Sequence, residues 1–206
     1  AHTGDDQVET VLMHLLRGSG LAGLRGMKHR TIFPEWDAAI PLVRPLLGVY
    51  RSEVLQYCLK HGLQPVEDQT NQDVTYFRNR LRHELIPALE TYNPQIKPAL
   101  LRMSSTLAAD EEILEKAAIV AWGDCIQREG PGWISMSKDA FESQEVGLQR
   151  RILRHAIDQL RPGLRNVDFE AIERGWGLVI SSRGAGQVEL TAGLRLYKTR
   201  KLLFIA

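Results

Sequence analysis

The stretch NPQIKPALLRMSSTLAADEEILEKAAIVAWG, residues 93–123, constrains this 206-residue chain more than any other. Asn93 suits a helix cap and Pro94 a first helical position, so the segment reads as one long helix. After Gly123 the texture changes to short strands and shorter helices. The length allows one large domain or two small ones. A boundary is expected within this helix or just after it, near 120–130.

The segments before the long helix carry clear punctuation. Residues 3–17 read as a helix, with a T-x-x-D capping box at Thr3 and Asp6. Val8, Val11, Leu12, Leu15 and Leu16 follow at helical spacing. RGSGLAGLRGM (17–27) holds four glycines and reads as a loop or broken turn. IPLVRPLL (40–47) fits a short strand bounded by Pro41 and Pro45. RSEVLQYCLKHG (51–62) is a second helix stopped by Gly62, with apolar positions 54, 55, 58 and 59. A short strand and a polar turn are expected over 63–73. The helix from about Val74 contains Pro87, which predicts a kink or break.

Beyond the long helix, GWISMS suggests a strand, with helices over roughly 143–160 and 167–176. The alternating, β-rich end, QVELTAGLRLYKTRKLLFIA, predicts a small sheet with a hairpin at Lys198–Lys201. No internal repeat or low-complexity tract is seen.

Composition excludes several classes. Cys58 and Cys125 lie far apart and form no CxxC pair, so a zinc ribbon or iron–sulfur cluster is unsupported. No signal peptide and no apolar run of transmembrane length occurs, and a reduced, cytoplasmic compartment is expected. The formal charge of +1 hides blocks: −2 over residues 1–73, +3 over 74–102, −6 over 103–145 and +6 over 146–206. Two of these blocks can meet an anionic partner.

Four constellations can carry chemistry. His2, Asp5, Asp6 and Glu9 gather at a helix start, where free N–H groups suit phosphate and carboxylates suit Mg²⁺. The same acids equally serve as a first turn that favours the helix dipole. RGSG (Arg17, Gly18, Ser19, Gly20) offers a guanidinium and backbone donors, or is a simple connector. In RNRLRH, Arg78 and Arg82 share a helix face, as do Asn79 and His83, while Arg80 points elsewhere. Arg and Asn grip phosphate and read base edges. A solvated basic face is the competing reading. The polar turn EDQTNQD lies just upstream, placed to orient these arginines. The last constellation is basic: Arg150, Arg151, Arg154, Arg161 and Arg165, then Arg195, Lys198, Arg200 and Lys201. It reads as an electrostatic platform for a nucleic-acid backbone, or as ordinary surface charge. His14, His29, His61 and His155 show no ligand spacing.

The order of these motifs is more specific than any one of them. AHTGDDQVETVLMHLLRGSGLAGLRGM, then RPLL, then VEDQTNQDVTYFRNRLRHELIPAL resembles the bacterial tRNA(Ile)-lysidine synthases, of the ATP-pyrophosphatase family. These share G-H-x-x-D-D-Q-x-E-T…L-L-R-G-S-G, R-P-L-L and E-D-x-[ST]-N…R-N-x-[IL]-R. The match is close over residues 1–92 and loose thereafter.

The resemblance implies an α/β fold. Residues 1–92 would be the C-terminal part of a parallel-sheet ATP-pyrophosphatase domain, and 93–123 a linking helix. Residues 124–206 would form a small α+β tRNA-binding domain. It also implies a ligase for tRNA modification. ATP adenylates C2–O of the wobble cytidine of tRNA(Ile), then the ε-amine of L-lysine displaces AMP to give lysidine. His2 and Asp6 would sit beside the adenylation centre, with Asp6, together with Asp5, holding Mg²⁺ or organising the lysine amine. Arg17, Gly18, Ser19 and Gly20 would line the cytidine pocket. Arg78, Asn79 and Arg82 would grip the wobble nucleotide or the polyphosphate, with Glu67, Asp68 and Asn71 shaping that wall. A homodimer is compatible with the resemblance.

The family's S-G-G-x-D-S ATP loop does not occur in this sequence. The expectation is a chain that starts inside the catalytic domain and is inactive alone. Two alternatives stand beside this reading: a non-catalytic RNA-binding module, and a related tRNA-modifying ATP-pyrophosphatase such as a 2-thiolating enzyme.

Overall fold

The computed structural model describes residues 1–33, 36–66, 75–164, 167–182 and 184–206. The chain divides into two compact units, Ala1–Glu112 and Ile113–Ala206.

The first unit opens with α1 (Gly4–Leu16), whose Val8, Val11 and Leu12 are buried at the predicted helical spacing. A turn and the single-turn α2 (Leu21–Leu24) follow, then an antiparallel hairpin of β1 (Arg30–Phe33) and β2 (Asp37–Val43). Pro41 falls inside β2, which tolerates it because β1 is its single partner in a two-stranded sheet. α3 (Arg51–Lys60) ends before Gly62, whose φ of +65° supplies the left-handed stop. Its apolar positions are not core: no α3 residue is buried, and Leu59 is 79% exposed.

The segment from Phe77 to Tyr92 is helical throughout but changes pitch. α4 (Phe77–Arg80) runs into a π-helical turn, Leu81–Leu85, and then α5 (Ile86–Tyr92). In that turn the Ile86 N–H donates to the carbonyl of Leu81, five residues back. This is how the chain absorbs Pro87, which has no N–H and whose ring collides with the carbonyl four residues earlier in an α-helix. The predicted kink is thus a widened turn. Leu81, Ile86 and Leu100 join the α1 residues in a small core.

α6 (Ile96–Cys125) is the long helix; the Gln95 N–H preceding it donates to Asn93 Oδ1 at 2.9 Å. α6 begins in the first unit and ends in the second.

In the second unit β3 (Ile126–Gly130), β4 (Trp133–Ser137), β5 (Gly186–Glu189), β6 (Arg195–Lys198) and β7 (Leu202–Ile205) form one antiparallel sheet, ordered β3-β4-β7-β6-β5. α7 (Lys138–Glu142), α8 (Val146–Leu160) and α9 (Phe169–Ile180) bury Phe141, Ile152, Leu153, Ile157, Ile172 and Val179 with one face of the sheet. That face carries Ile134, Met136, Leu196, Leu203 and Ile205.

Two expectations are corrected. Both sheets among the described residues are antiparallel, so the parallel sheet implied for residues 1–92 is not seen there. A parallel pair needs a crossover of a dozen or more residues, whereas only three residues separate β1 from β2 in sequence. Lys198 is not part of a surface platform. It shares the inward face with Leu196, is buried, and donates from Nζ to the carbonyls of Leu178, Val179 and Ser181 at 3.1, 2.6 and 2.6 Å. Three ammonium protons thereby cap the C-terminal end of α9.

Candidate functional site

The site begins at the N-terminus of α1. Thr3 caps the helix, and Asp6 reaches back to accept the Thr3 N–H at 2.7 Å and its hydroxyl at 2.9 Å on Oδ2. Its other oxygen accepts Nη2 of Arg78 at 3.0 Å. Burial pushes the Asp6 pKa up, but the Thr3 hydrogen bonds and the charges of Arg78 and Arg82 outweigh it. The net result lies below the ordinary carboxylate value, so Asp6 is an anion at neutral pH. Asp5 turns elsewhere: it accepts the Arg51 N–H at 2.7 Å and faces Lys97 Nζ at 3.8 Å.

One turn further along, Glu9 is fully buried among Val8, Val11 and Leu12. A carboxylate so placed is tolerated only when paired and hydrogen-bonded. Arg78 Nε meets Oε2 at 2.6 Å and Arg82 Nε meets Oε1 at 2.7 Å, so each oxygen has its own guanidinium. The two arginines stand four residues apart, one on α4 and one in the π turn, and both point at α1. Their side chains remain 38% and 26% exposed, which leaves part of each guanidinium at the surface. The hydrogen bond to Glu9 raises the Arg82 pKa; burial opposes this, while the charges of Glu9, Asp6 and Asp5 reinforce it. Asn79, between the arginines in sequence, is buried. Arg80 is exposed and lies over the Phe77 ring at 5.9 Å, apart from the cluster as expected.

The glycine segment relates to this cluster differently from the expectation. Arg17 is the exposed C-cap of α1, eleven positions from Asp6 and so about 16 Å along the helix axis. Arg17, Gly18, Ser19 and Gly20 therefore sit at the far end of α1 from the acids. What returns is Arg25–Met27. The Gln7 side chain accepts the Met27 N–H at 2.8 Å and donates to the Met27 carbonyl at 3.1 Å. Ser104 Oγ donates to the Arg25 carbonyl at 2.7 Å. Gly26, between them, has φ of +68°, and a Cβ there would come within 2.6 Å of Gln7 Nε2. Only glycine fits this approach.

Other predicted residues fall into place less centrally. His2 is half-buried, just before the cap. Arg44 of the RPLL motif is buried and ties the base of the hairpin, donating to the Lys28 carbonyl at 3.0 Å and Thr31 Oγ1 at 3.1 Å. Glu67, Asp68 and Asn71, with Arg165 of the basic constellation, lie outside the described residues. Within that constellation Arg150 forms a paired contact with Glu173 and covers the Trp176 ring at 4.7 Å. Arg161 donates to the Ala192 carbonyl at 3.2 Å.

Asp5 and Asp6 do not fit Mg²⁺ as arranged. Each carboxylate already accepts N–H donors on one oxygen and faces a cation on the other. Among the described residues no three His, Cys, Asp or Glu side chains group as a metal site.

Sequence reasoning passed over Glu9 as the centre of the site and did not consider Gln7 and Ser104. The signal for Glu9 was present: a carboxylate inside an apolar helical stripe demands cations, and two arginines four residues apart were waiting.

Residues 1–89 match the PP-loop domain family. The chain is 34% identical over 194 residues to a tRNA(Ile)-lysidine synthase of a Synechococcus species, covering 93% of this chain and 58% of that protein. It is 36% identical over 190 residues to the tRNA(Ile)-lysidine synthase of Geobacter sulfurreducens, covering 92% of this chain and 39% of that one. With that of Bacillus cereus the identity is 38% over 159 residues, 77% of this chain and 33% of the relative. The chain thus spans between a third and three-fifths of the curated relatives it matches.

Proposed function

We propose that this chain belongs to the tRNA(Ile)-lysidine synthases and supplies the nucleoside-facing part of such an enzyme's site. The reaction would join lysine to C2 of the wobble cytidine of tRNA(Ile) at the expense of ATP. In the first step the cytidine O2 attacks the α-phosphorus of ATP and pyrophosphate leaves. In the second the lysine ε-amine attacks C2, AMP leaves, and the amine gives up a proton.

The observation that carries this reading is the Asp6–Glu9–Arg78–Arg82 cluster within the matched residues. Two acids and two arginines cancel formally, so the cluster does not act as a polyphosphate clamp. Its rigid, half-exposed guanidinium edges suit orienting a neutral base, and the ionised Asp6 suits drawing in the ammonium of lysine. Asn79 would support base recognition, and His2, at the mouth of α1, would serve near the reacting atoms. The glycine segment from Arg17 through Gly18, Ser19 and Gly20 would form an outer wall. Its returning end at Gly26 and Met27 would lie nearer the cluster, fixed by Gln7. Glu67, Asp68 and Asn71 would complete the pocket. We further assign residues 1–92 to catalysis, 93–123 to a linking helix and 124–206 to tRNA binding.

A 2-thiolating activity finds less support. Cys125 is fully buried and its thiol is pushed up to about 11 by burial and by Asp124, which makes it a poor nucleophile.

The test uses the protein as expressed from its own gene, with ATP, labelled lysine and a tRNA(Ile) transcript bearing a CAU anticodon. The wild type should incorporate lysine. Asp6→Asn, which keeps an oxygen for the Thr3 cap, should lose about a hundredfold in rate. Its tRNA affinity should stay within about twofold. Full activity in that variant would remove Asp6 from the mechanism, and no incorporation by the wild type would remove the proposed reaction.

A further inference from the structure

The five-stranded sheet of the second unit has two faces, and only one belongs to the core. The strand register aligns Ile134, Ile205, Leu196 and Val188 in one inward row, and Met136, Leu203 and Lys198 in another. Because side chains alternate, the intervening residues form rows on the opposite face. One runs across all five strands: Arg128, Ser135, Phe204, Tyr197, Gln187. A second holds Gly130 and Trp133 on one side, and Arg195 opposite Glu189 on the other.

At the centre of this outer face stand three aromatic rings that are not members of the hydrophobic core. Trp133 stacks on Phe204, with centroids 5.5 Å apart and planes 26° from parallel. Tyr197 leans on the same Phe204 at 6.1 Å. All three are half-buried, so each keeps part of its ring open. Gly130 has no side chain where the indole lies: a Cβ there would come within 2.6 Å of Trp133 Nε1.

Around the rings the charge is mainly positive. Arg128 and Arg195 are exposed on the face, and Arg200 and Lys201 are exposed at the β6–β7 hairpin. Glu189 is the acid of these rows; Glu129, on the edge strand, pairs with Ile134 in the inward row. Gln187 is exposed beside the rings, whereas Ser135 is buried and donates to the Arg128 carbonyl at 3.2 Å.

We propose that this outer sheet face binds unpaired nucleobases of RNA, which stack on Trp133, Phe204 and Tyr197 while Arg128 and Arg195 meet the flanking phosphates. Stacking on an open aromatic sheet with a basic surround is the way single strands are held without a groove-reading element. An apolar protein partner is less well matched, because the aliphatic side chains of the central strands point into the core and Leu202 is the exception. The proposal rests on the reading above that this chain acts on RNA, and it specifies where and in what form the RNA is held.

The experiment measures binding of the full chain to three labelled probes: a tRNA(Ile) transcript, a single-stranded RNA of about ten nucleotides and the same RNA annealed to its complement. The single strand should bind more tightly than the duplex. Phe204→Leu and Trp133→Leu should each weaken single-strand binding about tenfold, and Phe204→Tyr should restore it. Arg128→Gln should lower the salt dependence by about one counterion. Thermal unfolding of each variant separates lost stacking from lost folding. Photocrosslinking of the wild type to a 4-thiouridine single strand gives a second readout that needs no variant, and crosslinks should map to Trp133, Tyr197 or Phe204.

If tRNA binds but Phe204→Leu leaves single-strand and tRNA affinity unchanged, or crosslinks fall only in residues 1–112, the sheet face is not the site. The family reading survives that result. If no RNA binds at all, both readings fall. If the face instead mediates self-association, Phe204→Leu dissociates a dimer without affecting RNA binding, which overturns the proposal.

Discussion

The two units differ in the size of their apolar cores and in how they hold a buried charge. Among the described residues, the core of Ile113–Ala206 gathers eighteen buried hydrophobic residues, whereas that of Ala1–Glu112 gathers six. Among its described residues the second unit buries one charge, Lys198, and satisfies it with backbone carbonyls. The first unit leaves Trp36, Ile40, Val43, Leu55 and Leu59 exposed, and places a carboxylate, Glu9, at the centre of its small core. A core held by apolar packing resists salt and pH. A core organised round Glu9, Arg78 and Arg82 holds side chains in fixed geometry but depends on both partners staying charged. The second arrangement is what a site needs, and the first is what a scaffold needs.

The sharpest break of that contrast removes both guanidiniums. Arg78→Ala with Arg82→Ala leaves Glu9 buried and unpaired, at a cost of about 3–5 kcal/mol to the first unit. Calorimetry of the whole chain should show the first unit's transition falling while the second unit's stays. If both fall together, the units do not unfold independently and the comparison fails. A smaller effect is expected from Lys198→Met. It removes the donors to three carbonyls and relieves a buried charge whose pKa burial pushes down, for a net loss of about 1–2 kcal/mol. Only the second unit's transition should move, and an unchanged one would mean that water replaces the ammonium at the end of α9.

How much of this was legible in the sequence follows from what each signal depends on. Val8, Val11 and Leu12 of the α1 stripe, the Gly62 stop and the terminal hairpin rest on local rules and stand where periodicity and turn residues put them, whereas Leu15 and Leu16, at the end of the same stripe, are exposed. β1 and β3 were not foreseen. RTIF is only four residues long, and IQREG looks polar because it is an edge strand. Lys198 was read as surface charge because Lys usually is, although its parity with Leu194 and Leu196 already pointed inward. The basic motif RNRLRH was recognised as chemistry, but its partner Glu9 lies sixty-nine residues away in sequence and only the fold joins them. The separation of RGSG from the acids was legible in principle, since a helix from Asp6 to Arg17 fixes their distance.

The finest test concerns how Asp6 is charged. Its pKa in the folded chain lies below the ordinary value of 3.8, since the Thr3 hydrogen bonds and the two arginines outweigh burial. A carboxylate with a depressed folded pKa contributes stability that is complete above its unfolded pKa and fades as pH falls through the folded one. The wild type should therefore exceed Asp6→Asn by about 1 kcal/mol in the first unit's transition from pH 7 down to about 5. The gap should close below pH 3.8, where Asp6 takes up a proton. The second unit supplies the control. Its Arg150–Glu173 pair is half-exposed on the surface of α8 and α9 rather than set in a core, so Glu173→Gln should alter that unit's acid unfolding less. Should the Asp6 gap close already near pH 5, burial would dominate over the cap and the arginines. The carboxyl would then be partly protonated when a substrate ammonium arrives, and the anionic role assigned to Asp6 would not hold.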